Sequence, residues 1–429
     1  MKGLLFTYAL TYGGAVASLF RPFYGLLIYL CFAILRPEFL WSWSVSAGNY
    51  SRIVASALLL GWMLNGCGNW SFGRARTFIA ILLLYWAWIV ISATFAFNQT
   101  VAWDYVELHS KIFLPVFIGM TLIETVQQLK QLAWTIVLCL GYLAFDGNLD
   151  HLQGGFKVRL DGFGGMDNNS FCIAMAAGTG LAFFLGLHEG SWWRKLTCFG
   201  LAAMMAHVPM FAHSRGGMLG VLVTGVATSV VIRKRPFEMS LIMLSVVIGL
   251  RLAGPTVWER FETSFAAAEE RDASAQSRLN LWNDCWEVMQ KHPITGVGPD
   301  HWPLIAHEYG WPAGKECHSL WMNAGAELGF PGLTLLMLYY GFTIYQGWKM
   351  SRSHAGDDPW FADAGRMVVV ALVGFVVAAS FVSLDALEPP YYIALLGAGT
   401  LKVHSQVVAG ASARPVSMPS SMRLSSTAS

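Results

Sequence analysis

The sequence predicts an all-α polytopic membrane protein of 12 or 13 transmembrane helices, with one large loop on its outer side. Three observations lead there. The 429 residues are 55% hydrophobic and only 13% charged, where a soluble domain carries about a quarter charged residues. Mean hydropathy is +0.49. Apolar runs near the roughly 20 residues that cross a bilayer recur along the chain. A net charge of +2 and the lack of an acidic or basic tail give no reason to expect a nucleic-acid partner.

The N-terminal "MKGLLFTYALTYGGAVASLF" has the short basic start and apolar core of a signal peptide. No small-residue cleavage site precedes a soluble domain, and further apolar runs follow at once, so it reads as a first span. Spans are expected near 3–20, 23–36, 53–67, 77–97, 112–126, 131–146, 170–187, 196–212, 216–232, 238–253, 320–347, 367–383 and 388–403. No internal repeat of fixed period is present. Arg74 and Arg76, Lys130, Arg194 and Lys195, Arg233 to Arg235, and Lys349 with Arg352 fall at alternate turns. By the excess of basic residues on the inner side, those turns are cytoplasmic. The outer side then holds "SWSVSAGNYSR", the 98–111 turn, the 146–169 loop, "HSRGG", the long 254–317 loop and "LDALEPP". The chain divides into N-terminal helices over 1–145, central helices over 146–253, the outer loop over 254–317, C-terminal helices over 318–404 and a Ser-, Ala- and Met-rich tail over 405–429, expected to be disordered.

The outer loop is the one sizeable polar piece and is expected to form two or three amphipathic helices over the membrane mouth. In "SRLNLWNDCWEVMQ", Leu279, Trp282, Trp286 and Met289 recur at helical spacing, Ser277 suits an N-cap, and the helix should end before Pro293. Of the seven cysteines, Cys31, Cys67, Cys139, Cys172 and Cys198 lie in or beside apolar runs and read as packing residues. Cys285 and Cys317 lie in the loop and could pair if it is extracytoplasmic.

Three basic residues on the outer side run against the charge trend. Arg215, in "AHSRGGMLG", stands where a helix begins. A helix N-terminus with free N–H groups and a forked guanidinium suits phosphate oxygens; the alternative is a tight hairpin with a snorkelling arginine. Arg278 lies four residues before Trp282; otherwise it is a solvated charge or a mate for Glu269, Glu270 or Asp272. Arg159 sits in the glycine-rich "GGFKVRLDGFGGMDNNSF", whose Asp167, Asn168 and Asn169 could simply cap the next helix. His318 opens "HSLWMNAGAELGFPG". Imidazole suits proton transfer near neutral pH, although on the residues alone a helix-start histidine bonded to a backbone carbonyl is the favoured reading. His213, His301, His307 and His318 show no HxxxH or HExxH spacing, and no GxSxG occurs, so metal and serine-hydrolase chemistry have little support.

"HSLWMNAGAELGFPG" fits His, Ser, nine residues, then Gly329-x-x-Gly332. This resembles the signature of the O-antigen ligase family, the lipopolysaccharide ligases that share a domain with O-antigen polymerases. "SRGG" at Ser214–Gly217 and "SRLNLWNDCWEVMQKHPITGVGPD" resemble that family's outer arginine and loop motif. "RLDGFGGMDNN" and "WERFETSFAAAEERDASAQSRL" are similar to a branch of probable O-glycosylation ligases associated with exosortase systems. The resemblance covers about 145–340 well and the ends only in hydropathy. It implies a GT-C-like glycosyltransferase in the bacterial inner membrane with its site facing the periplasm. The donor would be a glycan on undecaprenyl pyrophosphate and the acceptor lipid A-core, with no metal or cofactor. By position it implies His318 as base and Arg215 and Arg278 as donor-phosphate ligands; Arg159 is a weaker addition from the residues alone. The same donor would serve an O-antigen polymerase or a protein O-glycosylation ligase. A transporter would place its polar residues near mid-membrane, often in repeats; here they gather at one face. Gly329, Pro331 and Gly332 are expected to bend or thin the helix, so that a polyprenyl chain or a neighbouring helix can approach.

Overall fold

The structure is a computed structural model that describes residues 2–236, 238, 240, 273–352, 358–384 and 386–412. The expected span at 238–253 and the first part of the outer loop lie outside the described residues. Every other expected span is met by a helix. We number them α1 (Lys2–Phe20, with a π turn at Ala9–Gly13), α2 (Pro22–Leu35), α3 (Tyr50–Leu64), α4 (Arg76–Phe95), α5 (Gln99–Leu122), α6 (Val126–Leu152), α7 (Asn168–His188), α8 (Trp192–Phe211) and α9 (Arg215–Val231). The loop helix is α10 (Ala273–Lys291), followed by α11 (Leu320–Ser351), α12 (Pro359–Ala378) and α13 (Glu388–Ser412). Seven helical segments are long and apolar enough to cross a membrane, and α3 and α9 are shorter apolar helices. The protein is thus a helical polytopic membrane protein.

α7 and α12 form the centre, packed on one another and on α8, α9 and α11. Close approach rests on small residues. A Cβ on Gly220 would stand 3.0 Å from that of Ala176 on α7 and 3.2 Å from that of Ala378 on α12.

The helix ends sort into two faces. At one, Lys402 donates to the carbonyls of Asn69 (3.0 Å) and Met120 (2.6 Å). There too Asp363 gathers Arg366 (2.6 Å), His188 (3.1 Å) and Arg233 (3.3 Å). This is the face of the basic turns. At the other, Arg36 Nη2 grips both oxygens of Glu388, at 2.9 and 3.0 Å, and its Nη1 donates to the Gly164 carbonyl. That clamp ties the end of α2 to the start of α13 and to the glycine-rich loop.

Four boundaries differ from expectation. The 98–111 stretch is not a turn but the first half of α5: Asn98 caps it (3.3 Å to Val101 N–H), Glu107 pairs with Lys111 at 2.7 Å, and His109 is buried against Tyr105. α12 begins at Pro359 rather than 367, because Asp363 and Arg366 neutralise each other and need not avoid the interior. α13 continues through Ser412 into the supposed tail, held by Ser405 (to Arg74 N–H, 3.4 Å) and Gln406 (to the Ser71 carbonyl, 3.1 Å). The remainder of the tail lies outside the described residues. In the loop, α10 starts at Ala273, so Ser277 lies inside it and is not its N-cap.

The apolar face of α10 is also rotated from the expected stripe. Leu281, Cys285, Val288 and Met289 are buried, whereas Leu279 and Trp286 are 42% and 44% exposed. Beside a bilayer, apolar residues crowd both the core-facing and the outward side of a helix, and spacing alone cannot tell them apart. Leu281, Cys285 and Val288 join Trp302, Ala306, Cys317 and Ala326 in a small core of the loop's own.

Candidate functional site

The loop is seated on α11 by one buried carboxylate. Glu327, 1% exposed, accepts from the N–H groups of Asp300 (3.0 Å) and Trp302 (3.1 Å) and from Asn323 Nδ2 (3.2 Å). The Gly296-x-Gly298 turn lies against the same stretch, with Val297 N–H on the Ala326 carbonyl and Gly298 N–H on that of Glu327, each 3.0 Å. Gly329 has φ 69° and ψ −175°, which breaks α11. A Cβ there would overlap the Ile294 carbonyl. Phe330 N–H donates to the Pro293 carbonyl at 3.0 Å, and Trp88 on α4 donates to that of Leu328 at 2.8 Å. The break therefore admits the loop's Pro293–Gly298 turn, with α4 alongside. Glu327→Ala should strand buried N–H donors and cost roughly 3 kcal/mol, at about 1–3 kcal/mol per unsatisfied group. A loss of thermal stability in detergent, with faster proteolysis between Lys291 and Lys315, will check this.

His318 stands just before α11 in the left-handed region, φ 56°. Its N–H donates to Ser383 Oγ at 3.1 Å. Its ring is half-buried, and no described residue hydrogen-bonds to either ring nitrogen. Burial lowers its pKa first, Lys315 and Arg278 lower it further, and Asp167 opposes them. Arg278 on α10 thus stands within electrostatic reach of the imidazole. Trp282, one turn further on, meets Phe381 with ring centroids 5.9 Å apart. Glu316 reaches solvent, yet packing around it, then Asp167 and Asp300, hold its carboxyl above the usual range.

Arg215 is the first residue of α9 and half-buried. Ser214 caps the helix, accepting from Gly217 N–H at 3.2 Å, and donates its hydroxyl to Asn169 Oδ1 at 2.8 Å. Asp167 caps α7 through Ser170 N–H at 2.8 Å. The Asp/Asn cluster does therefore cap, and it also ties α7 to the start of α9. A Cβ on Gly216 would sit 3.7 Å from Val382 and 3.9 Å from Phe381. The short segment Phe381–Ser383 thus touches all three elements: the start of α9, the Trp282 turn of α10 and the backbone of His318. Nothing in the sequence pointed to it, because Ser383 lies 65 positions from His318 in an unremarkable serine–leucine stretch.

Arg159 is exposed on the short helical turn Lys157–Asp161, and among the described residues it makes no ion pair or hydrogen bond. His301 is buried with both ring nitrogens on backbone: Nδ1 to the Pro299 carbonyl (2.7 Å) and Nε2 accepting from Asn98 N–H (3.1 Å). It fastens the loop to the α4–α5 turn. Among the described residues no three His, Cys, Asp or Glu side chains are grouped to hold a metal.

The fold is that of a multi-pass helical membrane protein that brings arginines and a lightly held histidine together at one end of the bundle. Residues 200–337 match the family model described as O-antigen ligase. The chain's function is in general of the O-antigen ligase or polymerase type, in a multi-pass bacterial membrane protein. Residues 1–179 match a family of unknown function (DUF5935). No curated protein matches the chain.

Proposed function

We propose that the protein transfers a glycan from undecaprenyl pyrophosphate to lipid A-core at the periplasmic face of the inner membrane, inverting the anomeric centre. The observation that supports this most is the gathering of His318, Arg278 and the α9 start around Phe381–Ser383. Departure of the pyrophosphate builds negative charge in a partly desolvated site. Arg215, with the positive end of α9 behind it, and Arg278 stabilise that charge. His318 takes the proton of the acceptor hydroxyl as it attacks the anomeric carbon from the face opposite the pyrophosphate. Burial, Lys315 and Arg278 lower its pKa and so favour the neutral ring, the form able to accept a proton. Arg159, exposed on the Lys157–Asp161 turn, is a weaker third donor-phosphate contact.

The test is transfer in proteoliposomes holding purified protein, undecaprenyl-pyrophosphate glycan and lipid A-core. Product on lipid A-core supports the reading; a donor left intact or lengthened contradicts it. The similarity of "RLDGFGGMDNN" and "WERFETSFAAAEERDASAQSRL" to O-glycosylation ligases favours a second reading, with a protein Ser/Thr acceptor, and lengthened donor would indicate a polymerase. Because arginines and a helix terminus do the charge stabilisation in this mechanism, EDTA should leave the transfer rate unchanged. An EDTA-sensitive rate restored by a divalent cation would overturn that part.

A further inference from the structure

Cys285 and Cys317 are both fully buried in the loop's small core, and their sulfurs face each other at 3.1 Å. Cys317 immediately precedes His318, and Cys285 lies two helical turns beyond Arg278 on α10. We propose that these two residues are joined as a disulfide in the mature protein, a covalent brace that holds the Arg278 helix against the His318 turn. The inference rests on the outer placement of the loop, since that compartment is oxidising. The co-reactant is a protein disulfide. One cysteine thiolate attacks it and displaces its first sulfur as a thiolate. The second cysteine thiolate then attacks the mixed disulfide, forming the Cys285–Cys317 bond and releasing the other sulfur. Two protein thiols give up two electrons and two protons, and the oxidant's disulfide becomes two thiols.

The timing follows from burial. In the folded loop, desolvation first and the neighbouring Cys317 next hold the Cys285 thiol far above its usual pKa. Thiolate, the reacting species, is then scarce. The bond therefore forms while the loop is still open and is sealed from reductants once Trp302 and Leu281 close over it. The loop core is small, and cross-links matter most where little apolar surface is available.

The test uses the full-length protein in its membrane. Denaturation in maleimide without reductant should leave Cys285 and Cys317 unlabelled, and their peptides should appear as one linked species about 2 Da lighter than the two thiol peptides together. Reductant should release both for labelling. In parallel, Glu308→Cys, at an exposed position of the same loop, is treated on spheroplasts with a membrane-impermeant maleimide, and labelling is expected. If Glu308→Cys is reached from outside while Cys285 and Cys317 label freely without reductant, the disulfide is overturned and the orientation stands. If Glu308→Cys labels only after lysis, the loop faces inward; the orientation falls, and the disulfide with it.

Discussion

His318→Ala will lower glycan transfer by roughly 10²- to 10⁴-fold, the usual contribution of a positioned general base, while expression and thermal stability hold. The half-buried ring is bonded to no described residue, and the Ser383 contact is to the backbone, which alanine retains. The pH profile gives a sharper signature. A base must be neutral to act, so the rate climbs as pH rises through its pKa. Burial, Lys315 and Arg278 lower that pKa, so the acid limb of kcat/KM should lie below the ordinary imidazole value near 6.5. Lys315→Ala removes one of the cations, raises the pKa and should move the acid limb to higher pH, with little loss of plateau rate. A limb that stays in place in Lys315→Ala, or full transfer by His318→Ala, would remove His318 from the mechanism.

Arg215→Ala and Arg278→Ala should each cost roughly 10²- to 10³-fold in transfer, the scale seen when one preorganised charge stabiliser is lost. Lysine at either position should recover only part, because it keeps the charge and loses the planar fork. The two arginines are separable by pH. Arg278 is among the charges that depress His318, and Arg215 is not. Arg278→Ala should therefore lower the plateau and shift the acid limb upward, whereas Arg215→Ala should lower the plateau alone. Transfer from short-tailed donor analogues, measured for both variants, will show whether the loss follows the pyrophosphate. Equal activity of either alanine variant and the wild type would argue against a phosphate role for that residue.

Much of this site was legible in the residues themselves. A histidine, two arginines and a glycine pair stood where hydropathy changed, and the alternation of basic turns put them at one end of the bundle. Local signals also marked the helix starts at Ser214 and Asp167, since caps act within three residues. Less legible was anything that depended on which partner a residue meets. Arg159, the weakest of the three arginines in sequence, lies exposed on its own short turn. Glu327 lay near His318 in sequence, and the structure gives it to the loop instead.

The sequence by itself determined the class, the positions of the spans among the described residues and which residues are able to do acid–base and anion chemistry. All of these follow from transfer free energy and functional-group identity, which are properties of residues or short windows. Only the tertiary structure decided that Asp363 and Arg366 sit inside a helix because they neutralise each other, and that Gly329 breaks α11 to seat the Pro293–Gly298 turn. It also decided that Phe381–Ser383 is the meeting point of the site. Those outcomes rest on contacts between residues tens to hundreds of positions apart, and no local pattern encodes them.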